Sequence, residues 1–524
     1  MGTIVEDPAL PFQSITNSAS DALRNAGSYM SDLMTPTLRL GVTGLSRAGK
    51  TVFITSLVRN LVVGGRLPFF RAHAAGRILR AYLEPQPDDA VPRFDYERHL
   101  ATLSADPPDW PQSTRRISEL RVTIEYESEG TLWRYFGPSK LHLDIVDYPG
   151  EWLTDLALLD KGFDAWAAET LAVLAARPSN AAIKAFLTFA EAQHRPTQQG
   201  QESEQVALEG ARLFTAALAE ARREDGGIAT LSPGRFLMPG DLEGSPLLTF
   251  FPLARSGLPL SRKAAADRPA ASAPPTTETG QPAIAPPEDL LALLARRYDS
   301  YRSHVVRPFF RDHFSRIDRQ IVLVDVLGAM HTGARAVADL ERAIGGVLAA
   351  FRPGTNSWLS SLLTRRVDHL LFAATKADHL HHTSHDRLEA ILRLITDRAI
   401  SRAEASGAEV RVMALAALRA TREAERRHGG ETLACIAGVP LPGEKIDRRV
   451  FDGKAEAVIF PGDLPDDPHD ALASLGAGEE ESDMTVIRFR PPRMPLAPKD
   501  GRALAMPHIR LDRALDFLIG DKFR

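Results

Sequence analysis

Residues 44–51 read GLSRAGKT and match G-x-x-x-x-G-K-[ST], the pattern of a loop that binds phosphate groups. In such a loop the backbone N–H groups surround phosphate oxygens, the lysine contacts the β- and γ-phosphates, and the hydroxyl residue binds magnesium. Residues 37–43 alternate as a strand does, and residues 52–58 have the pattern of a helix. The stretch therefore predicts a strand, a phosphate loop and a helix whose N-terminal end faces the phosphates, rather than a strand-turn-helix connection without a ligand.

This loop supplies most of the predicted phosphate contacts. Lys50 is expected to contact the β- and γ-phosphates, and Thr51 is a predicted magnesium ligand. The residues expected to contact the nucleotide along this stretch are Gly44, Ser46, Arg47, Ala48, Gly49, Lys50, Thr51 and Val52.

A second motif, Asp147-Tyr-Pro-Gly150, ends the predicted strand of residues 140–147. Ligands of an open α/β sheet bind at the carboxyl ends of its strands. Asp147 is therefore expected to hold magnesium through water, and Gly150 to donate its N–H to a γ-phosphate. Asp144 alternates to the opposite face of this strand, where we expect solvent or a helix.

A third motif, Thr375-Lys376-Ala377-Asp378, identifies the base. In [NT]-K-x-D the aspartate accepts hydrogen bonds from guanine N1–H and the exocyclic amine, while the lysine stem packs along the base. Adenine lacks this donor pair, so an ATPase is the less favoured alternative. Residues 416–418 (Ala416, Ala417 and Leu418) resemble the turn whose backbone N–H approaches guanine O6, although its serine is missing. The sequence thus predicts GTP or GDP as the ligand, with Mg²⁺.

Histidines follow the guanine motif in the stretch HLHHTSH, residues 379–385. His381 and His385 have the spacing of two metal ligands on a helix, which makes zinc an alternative. Because Ser384 looks like a helix cap, a polar loop is favoured over a zinc site. Asp325, in the strand before the motif, is a candidate for a place beside the nucleotide site.

The composition narrows the class of partner and the compartment. The 524 residues include 63 basic and 67 acidic ones, so no overall basic field indicates a nucleic-acid partner. The single cysteine excludes an intramolecular disulfide and fits a reducing compartment. The sequence contains no run of about 18 apolar residues, so no transmembrane segment is predicted. A cytoplasmic protein is the expectation.

The chain divides into five predicted parts, and the fold class is α/β with a mainly parallel sheet. Apolar strands at 320–326, 369–374 and 410–416 are typical of strands covered on both faces. Residues 262–287 are rich in proline and alanine and are predicted to be a disordered linker. The parts are an N-terminal helix (1–36), a first core half (37–151), a helical insertion including the linker (152–316), a second core half (317–440) and a mixed C-terminal extension (441–524).

The order of the motifs resembles that of translation-factor-like GTPases. The stretches PRFDY (92–96), DYPGEW (147–152), TKADH (375–379) and FPGDL (460–464) resemble the YcjX-like family of P-loop GTPases. The resemblance spans nearly the whole chain apart from residues 262–287. It implies a GTPase core with a helical insertion and a stress-associated switch role, and it names no protein effector.

Two candidates for the hydrolytic step follow from the spacing of the motifs. Thr114, in the polar loop before the strand at 117–127, is the predicted switch threonine and a magnesium ligand, with Ser113 or Thr102 as alternatives. Glu151 stands where small GTPases commonly carry a glutamine. Its carboxylate can accept a proton from water but repels the γ-phosphate, so slow hydrolysis is expected.

Arg47 occupies the loop position at which guanylate-binding proteins and atlastins carry a catalytic arginine. Its alternatives are a solvent-facing side chain or an ion pair with Glu151 or Asp147, and Arg115 or Arg116 are other candidates. Those large GTPases place the arginine on dimerisation, so a nucleotide-dependent homodimer is predicted. A nucleotide-binding module with negligible hydrolysis remains open. The predicted catalytic residues are Lys50, Arg47, Glu151 and Thr114.

Overall fold

The computed structural model describes residues 35–44, 48–65, 67–112, 116–129, 138–177, 180–193, 200–224, 231–254, 290–349, 367–476, 484–494 and 504–524. The predicted N-terminal helix and the predicted linker lie outside these residues. The same holds for Ser46, Arg47, Ser113, Thr114 and Arg115.

A central sheet organises the described chain, with the strand order β2-β3-β4-β1-β5-β6-β7. β4, β1, β5, β6 and β7 run parallel, whereas β2 and β3 pair antiparallel at one edge. This arrangement confirms the predicted, mainly parallel α/β fold. The strands are β1 (Thr37–Gly44), β2 (Ile78–Glu84), β3 (Ser118–Tyr126), β4 (Ser139–Asp147), β5 (Arg319–Val324), β6 (His369–Ala374) and β7 (Glu409–Ala414).

Helices cover both faces of this sheet. On one face α1 (Lys50–Val63) and α14 (Leu511–Ile519) pack on the strands, and Leu57 and Leu515 are completely buried there. On the other face lie α10 (Val326–Thr332), α11 (Ala334–Ala349) and α12 (His385–Ala405). Because both faces are covered, the central strands consist of near-continuous apolar runs. Two short helices, α2 (Arg71–Ala74) and α3 (Tyr96–Leu103), precede β2 and β3.

The predicted helical insertion has its own core. Trp166 stacks on Tyr298 with ring centroids 4.9 Å apart, and further aromatic rings surround this pair. The residue pattern also predicts a helix from Pro287 to about Phe314, and among the described residues this stretch is interrupted by a π-helical turn at Arg302–Val306. The helices are α4 (Gly150–Thr154), α5 (Phe163–Ala175), α6 (Ala181–Ala192), α7 (Gly200–Glu224), α8 (Leu290–Tyr301) and α9 (Arg307–Asp312), with a 3₁₀ helix at Asp155–Asp160.

The C-terminal extension contains a second, three-stranded sheet of order β12-β9-β8. Its strands are β8 (Arg422–His428), β9 (Glu431–Gly438) and β12 (Ala457–Ile459), joined by the hairpin β10 (Lys445–Ile446) and β11 (Arg449–Val450). The small sheet therefore begins before residue 441. The residue pattern of 484–489 predicts a further short strand, and this prediction is wrong, because the segment forms a single bridge, between Phe489 and Pro440. Helix α13 (Pro468–Gly476) lies between β12 and that segment.

The residue pattern of 507–524 predicts a closing amphipathic helix, but α14 spans only Leu511–Ile519 and is followed by a 3₁₀ turn at Gly520–Phe523. The strand β2, between α2 and α3, was not predicted. Among the helices that the structure describes, none combines the length and the apolar character that crossing a bilayer requires.

Candidate nucleotide-binding site

The predicted phosphate loop lies between the end of β1 and the start of α1. Gly49 has φ 86° and is the N-cap of α1, so glycine is required at this left-handed position. Gly44 is required for a different reason, because a Cβ there would lie 2.7 Å from the carbonyl oxygen of Leu323. Lys50 Nζ donates to the carbonyl oxygen of Gly44 at 3.0 Å. The lysine of the motif thus reaches back across the loop.

Asp147 and Gly150 lie at the same edge of the sheet as this loop. Asp147 is the last residue of β4, stands in register with Val42 of β1, and is 1% exposed. Gly150 begins α4 and lines a small space together with Thr43 and Gly44. The structure therefore brings the second motif next to the first. Asp144, by contrast, does not face solvent, because it is 1% exposed and its carboxylate pairs with Arg121 of β3 at 2.7 and 2.9 Å.

The lysine of the guanine motif pairs with the residue that follows the neighbouring strand β5. Lys376 has φ 60°, and its ammonium forms an ion pair with Asp325. Asp325 is also the N-cap of α10, where its carboxylate accepts from the N–H of Gly328 at 3.0 Å. The side chain of Asp325 thus orients the lysine of the motif.

Asp378 is held by the loop that follows β7. Its Oδ2 accepts from the N–H of Ala420 at 2.8 Å, its carbonyl oxygen accepts from Thr421 Oγ1, and the residue is 4% exposed. The loop itself is held by the C-terminal segment, because Ala416 and Ile509 exchange two backbone hydrogen bonds of 3.1 and 2.8 Å. Since the N–H of Ala416 donates to the carbonyl oxygen of Ile509, it is already used and does not serve the predicted contact with guanine O6.

One cavity of about 390 Å³ collects these elements. A volume of this size lies within the range of small-molecule sites. The phosphate loop and the start of α1 line one end, and the third motif and the loop after β7 line the other. Predicted contacts among the lining residues are Ala48, Gly49, Lys50, Thr51, Val52, Thr375, Lys376, Asp378, Ala416, Ala417 and Leu418.

Sequence reasoning missed another part of the cavity lining. Asp109, Trp110 and Pro111 come from the loop before β3, and His379 directly follows the guanine motif. Leu441, Arg488 and Phe489 also line the cavity and belong to the C-terminal extension. The loop before β3 could have been found from the sequence, because it leads to the predicted switch threonine. No sequence pattern indicated that the C-terminal extension lines the cavity.

Glu151 is buried away from solvent and paired with the helical insertion. It is 1% exposed, and its Oε1 accepts from the guanidinium of Arg222 in α7 at 3.0 Å. A catalytic use of this carboxylate would therefore require that the ion pair open first. Among the alternatives for the switch residue, Thr102 lies in α3 and its hydroxyl donates to the carbonyl oxygen of Arg98 at 3.0 Å.

The histidine stretch forms two 3₁₀ turns, at Ala377–His379 and His382–Ser384. His385 Nε2 donates to the carbonyl oxygen of Ala377 at 2.8 Å, so His385 acts as a support of the guanine motif. His381 and His382 instead lie beside Glu423, with candidate ligand atoms within 4.8 Å of one another.

Comparison with known proteins places the chain in a family. The profile of the YcjX-like family, DUF463, matches residues 38–523. A protein of Escherichia coli (strain K12) named Ras-like GTPase YcjX is 34% identical over 492 residues, covering 93% of this chain and 96% of that relative. A Shewanella oneidensis protein of the same name is 33% identical over 504 residues, covering 93% of this chain and 94% of its own length. With its P-loop GTPase-like fold, the chain belongs to the YcjX-like family.

Proposed function

We propose that this protein is a GTPase that binds Mg·GTP and GDP in the cavity and hydrolyses GTP slowly. The observation that carries the proposal is the shared lining of one cavity by Lys50 of the phosphate loop and by the buried carboxylate of Asp378. A single guanine nucleotide would contact Lys50 with its phosphates and Asp378 with its base. The two relatives named Ras-like GTPase support the same activity.

Base selection is assigned to Asp378. A buried carboxylate that accepts from guanine N1–H and the exocyclic amine would be left unsatisfied by adenine. Sites built to hydrogen-bond one ligand reject an analogue that lacks the matching groups by a factor of roughly 10⁴–10⁵. The hydrogen bonds from Ala420 and Thr421 fix the position of Asp378, so the carboxylate is oriented before the base binds.

Oxygen ligands for magnesium come from Thr51, Thr114 and Asp147. Thr51 and Asp147 are 6% and 1% exposed at the same edge of the sheet, and hydroxyl and carboxylate oxygens are the donors that Mg²⁺ prefers. The residues present therefore fit the ion. Magnesium, when bound, neutralises charge on the β- and γ-phosphates.

In the proposed reaction a water oxygen attacks the γ-phosphorus, the bond to the β–γ bridging oxygen breaks, and GDP and phosphate leave. Lys50 and the loop N–H groups bind the phosphates, Gly150 donates to the γ-phosphate, and Arg47 stabilises the charge that develops. Glu151 is paired with Arg222, so it is not available to orient the water in this arrangement. This ion pair is also the observation that favours the second candidate, a guanine-nucleotide-binding module with negligible hydrolysis.

A switch role is proposed from the family resemblance. The nucleotide state would be read in the cytoplasm by a protein effector or by a nucleotide-dependent homodimer, in connection with stress. The helical insertion contacts the residues after Gly150 through Arg222 and Met238, so it is a proposed route of the signal.

The test measures binding and turnover on the full chain. Titration calorimetry with GDP, GTP, ATP and XTP, each with Mg²⁺, should give guanine nucleotides at least about 100-fold tighter binding than ATP. Asp378→Asn should shift the preference from GTP towards XTP, because an amide N–H can donate to the xanthine 2-carbonyl. Lys50→Ala should abolish binding while leaving the melting temperature unchanged, and Lys161→Ala, in the insertion, is the control. Equal affinity of the parent for ATP and GTP contradicts the proposal.

A further inference from the structure

The cavity has a third wall, part of which comes from outside the GTPase core. Arg488 and Phe489 belong to the C-terminal extension, and Trp110 belongs to the loop before β3. These three residues, here called the outer wall, line the same space as the phosphate loop and Asp378. None of the three belongs to the motifs that predicted the site.

The outer wall contacts the residue next to Asp378 in the sequence. The ring of Phe489 meets the ring of His379 edge-on, with centroids 5.2 Å apart and an interplanar angle of 85°. His379 directly follows Asp378, the residue assigned to the base. Trp110 Nε1 donates to the carbonyl oxygen of Phe489 at 2.6 Å, which joins the two halves of the wall. The aromatic side chains therefore lie near the predicted position of the nucleoside.

The extension holds its part of the wall rigidly. Phe489 is 2% exposed and packs with Ile436, Phe451 and Ile459 in the core of the small sheet. The N–H of Leu441 donates to the carbonyl oxygen of Arg488 at 2.8 Å. The wall is thus a feature of the folded extension.

Arg488 is oriented by an acidic partner. Its Nε and a terminal nitrogen lie 2.7 and 2.6 Å from Oε1 of Glu444, and its backbone N–H donates to Oε2 at 3.0 Å. The side chain is nevertheless 66% exposed, so one face of the guanidinium remains accessible. Because Glu444 compensates its charge, Arg488 is suited to stacking on a ring more than to anchoring a phosphate.

We propose that Arg488, Phe489 and Trp110 bind the nucleoside half of the nucleotide, so that the C-terminal extension forms part of the binding site. The inference rests on the proposed function, since it assumes a guanine nucleotide in the cavity. Aromatic faces and a planar guanidinium are the groups that stack on a purine and cover its ribose. GDP and GTP share the nucleoside, so the wall strengthens the binding of both equally.

The test compares four variants of the full chain, Arg488→Ala, Trp110→Phe, Phe489→Leu and the control Arg427→Ala. Arg427 is an exposed arginine in β8 of the same extension. Calorimetry should show that Arg488→Ala weakens GDP and GTP binding by the same factor, about tenfold. Phe489→Leu keeps the core of the small sheet filled and should weaken binding by a smaller factor. Arg427→Ala should stay within about twofold of the parent.

Tryptophan emission supplies a readout that a purely structural wall would not change. GDP should alter the emission of the parent, and Trp110→Phe should lose most of this change. If the parent binds GDP while Arg488→Ala, Trp110→Phe and Phe489→Leu all bind it with parental affinity, the inference is overturned and the proposed function stands. If the parent binds no guanine nucleotide, both are overturned.

Discussion

The carboxylate of Glu151 lies 3.0 Å from the guanidinium of Arg222, which joins the residue after Gly150 to helix α7. Two further contacts strengthen this junction. Arg235 places its guanidinium 3.2 Å from the ring centroid of Trp152, and a Cβ at Gly234 would lie 2.1 Å from the carbonyl oxygen of Glu151. The segment predicted to contact the γ-phosphate is therefore packed into the helical insertion.

Arg222→Ala is expected to destabilise the protein by about 2 kcal/mol, because it leaves a buried carboxylate without its cation. Adding Glu151→Gln should recover most of this loss, since a neutral amide costs less to bury. Urea unfolding of the parent, both single variants and the double variant measures the coupling. Arg223→Ala is the matched control, because Arg223 pairs with Glu220 with its side chain 75% exposed. Equal effects of Arg222→Ala and Arg223→Ala would refute the prediction.

Asp155 should make stability depend on pH. Burial raises the pKa of this carboxyl from 3.8 to about 6, partly opposed by hydrogen bonds from Tyr301 and the N–H of Gly234. A raised folded-state pKa means that its contribution to stability is fully present below the unfolded value and is lost as pH rises through about 6. The loss amounts to about 3 kcal/mol, at 1.36 kcal/mol per pKa unit.

Asp155→Asn isolates this contribution, because the amide cannot ionise and keeps an acceptor for Gly234. The free energy of unfolding of the variant relative to the parent should rise between about pH 4 and about pH 7. Urea unfolding across this range measures the difference. A difference that stays constant with pH would show that Asp155 does not titrate with a raised pKa in the folded protein.

The parts of the site predicted from sequence are those whose chemistry lies within a few consecutive residues. The phosphate loop, Asp147 to Gly150 and Thr375 to Asp378 each follow a strand of the parallel sheet, and parallel strands place such ends at one edge. The strand β2 was missed because it is an edge strand whose residues are mostly half-buried or exposed, so its sequence lacks clear alternation.

Contacts between residues far apart in sequence explain what could not be predicted. The hydrogen bond from Trp110 to Phe489 spans 379 residues, and no local pattern in either segment indicates the other. The pair of Glu151 with Arg222 likewise depends on how α7 packs on α4. Whether a charged residue faces a nucleotide or a neighbouring helix is decided by this tertiary packing.

Asn60, in helix α1 after the phosphate loop, also contacts a residue far away in the sequence. Its replacement gives a further prediction. The residue is completely buried, its amide donates to the carbonyl oxygen of Met506 at 3.2 Å, and its Oδ1 accepts from the N–H of Met506 at 3.0 Å. The same segment pairs with Ala416 through Ile509. Asn60→Ala should therefore cost about 2 kcal/mol of stability and also weaken GDP binding.

Thermal unfolding and GDP titration of the variant test both effects. If Asn60→Ala lowers the melting temperature while GDP affinity is unchanged, the C-terminal segment stabilises the fold but does not support nucleotide binding by the loop after β7.

Arg47 provides the last prediction, which rests on its position in the phosphate-loop sequence, since the residue lies outside the described part of the chain. A guanidinium that stabilises charge on the transferring phosphoryl group acts in the transition state more than in the ground state. Arg47→Ala should then lower single-turnover GTP hydrolysis roughly tenfold in the isolated protein, and by up to roughly 10³–10⁵ where the arginine is fully engaged, while GTP affinity stays near parental.

Two controls and a concentration series complete this test. Arg47→Lys should restore little activity, because an ammonium cannot reproduce the planar fork of the guanidinium. Arg115→Ala should have a smaller effect than Arg47→Ala. If dimerisation positions the arginine, the parental rate should rise with protein concentration and the rate of Arg47→Ala should not. Equal hydrolysis by parent and Arg47→Ala at every concentration would assign Arg47 to the protein surface, and inactivity of both would favour the binding-module alternative.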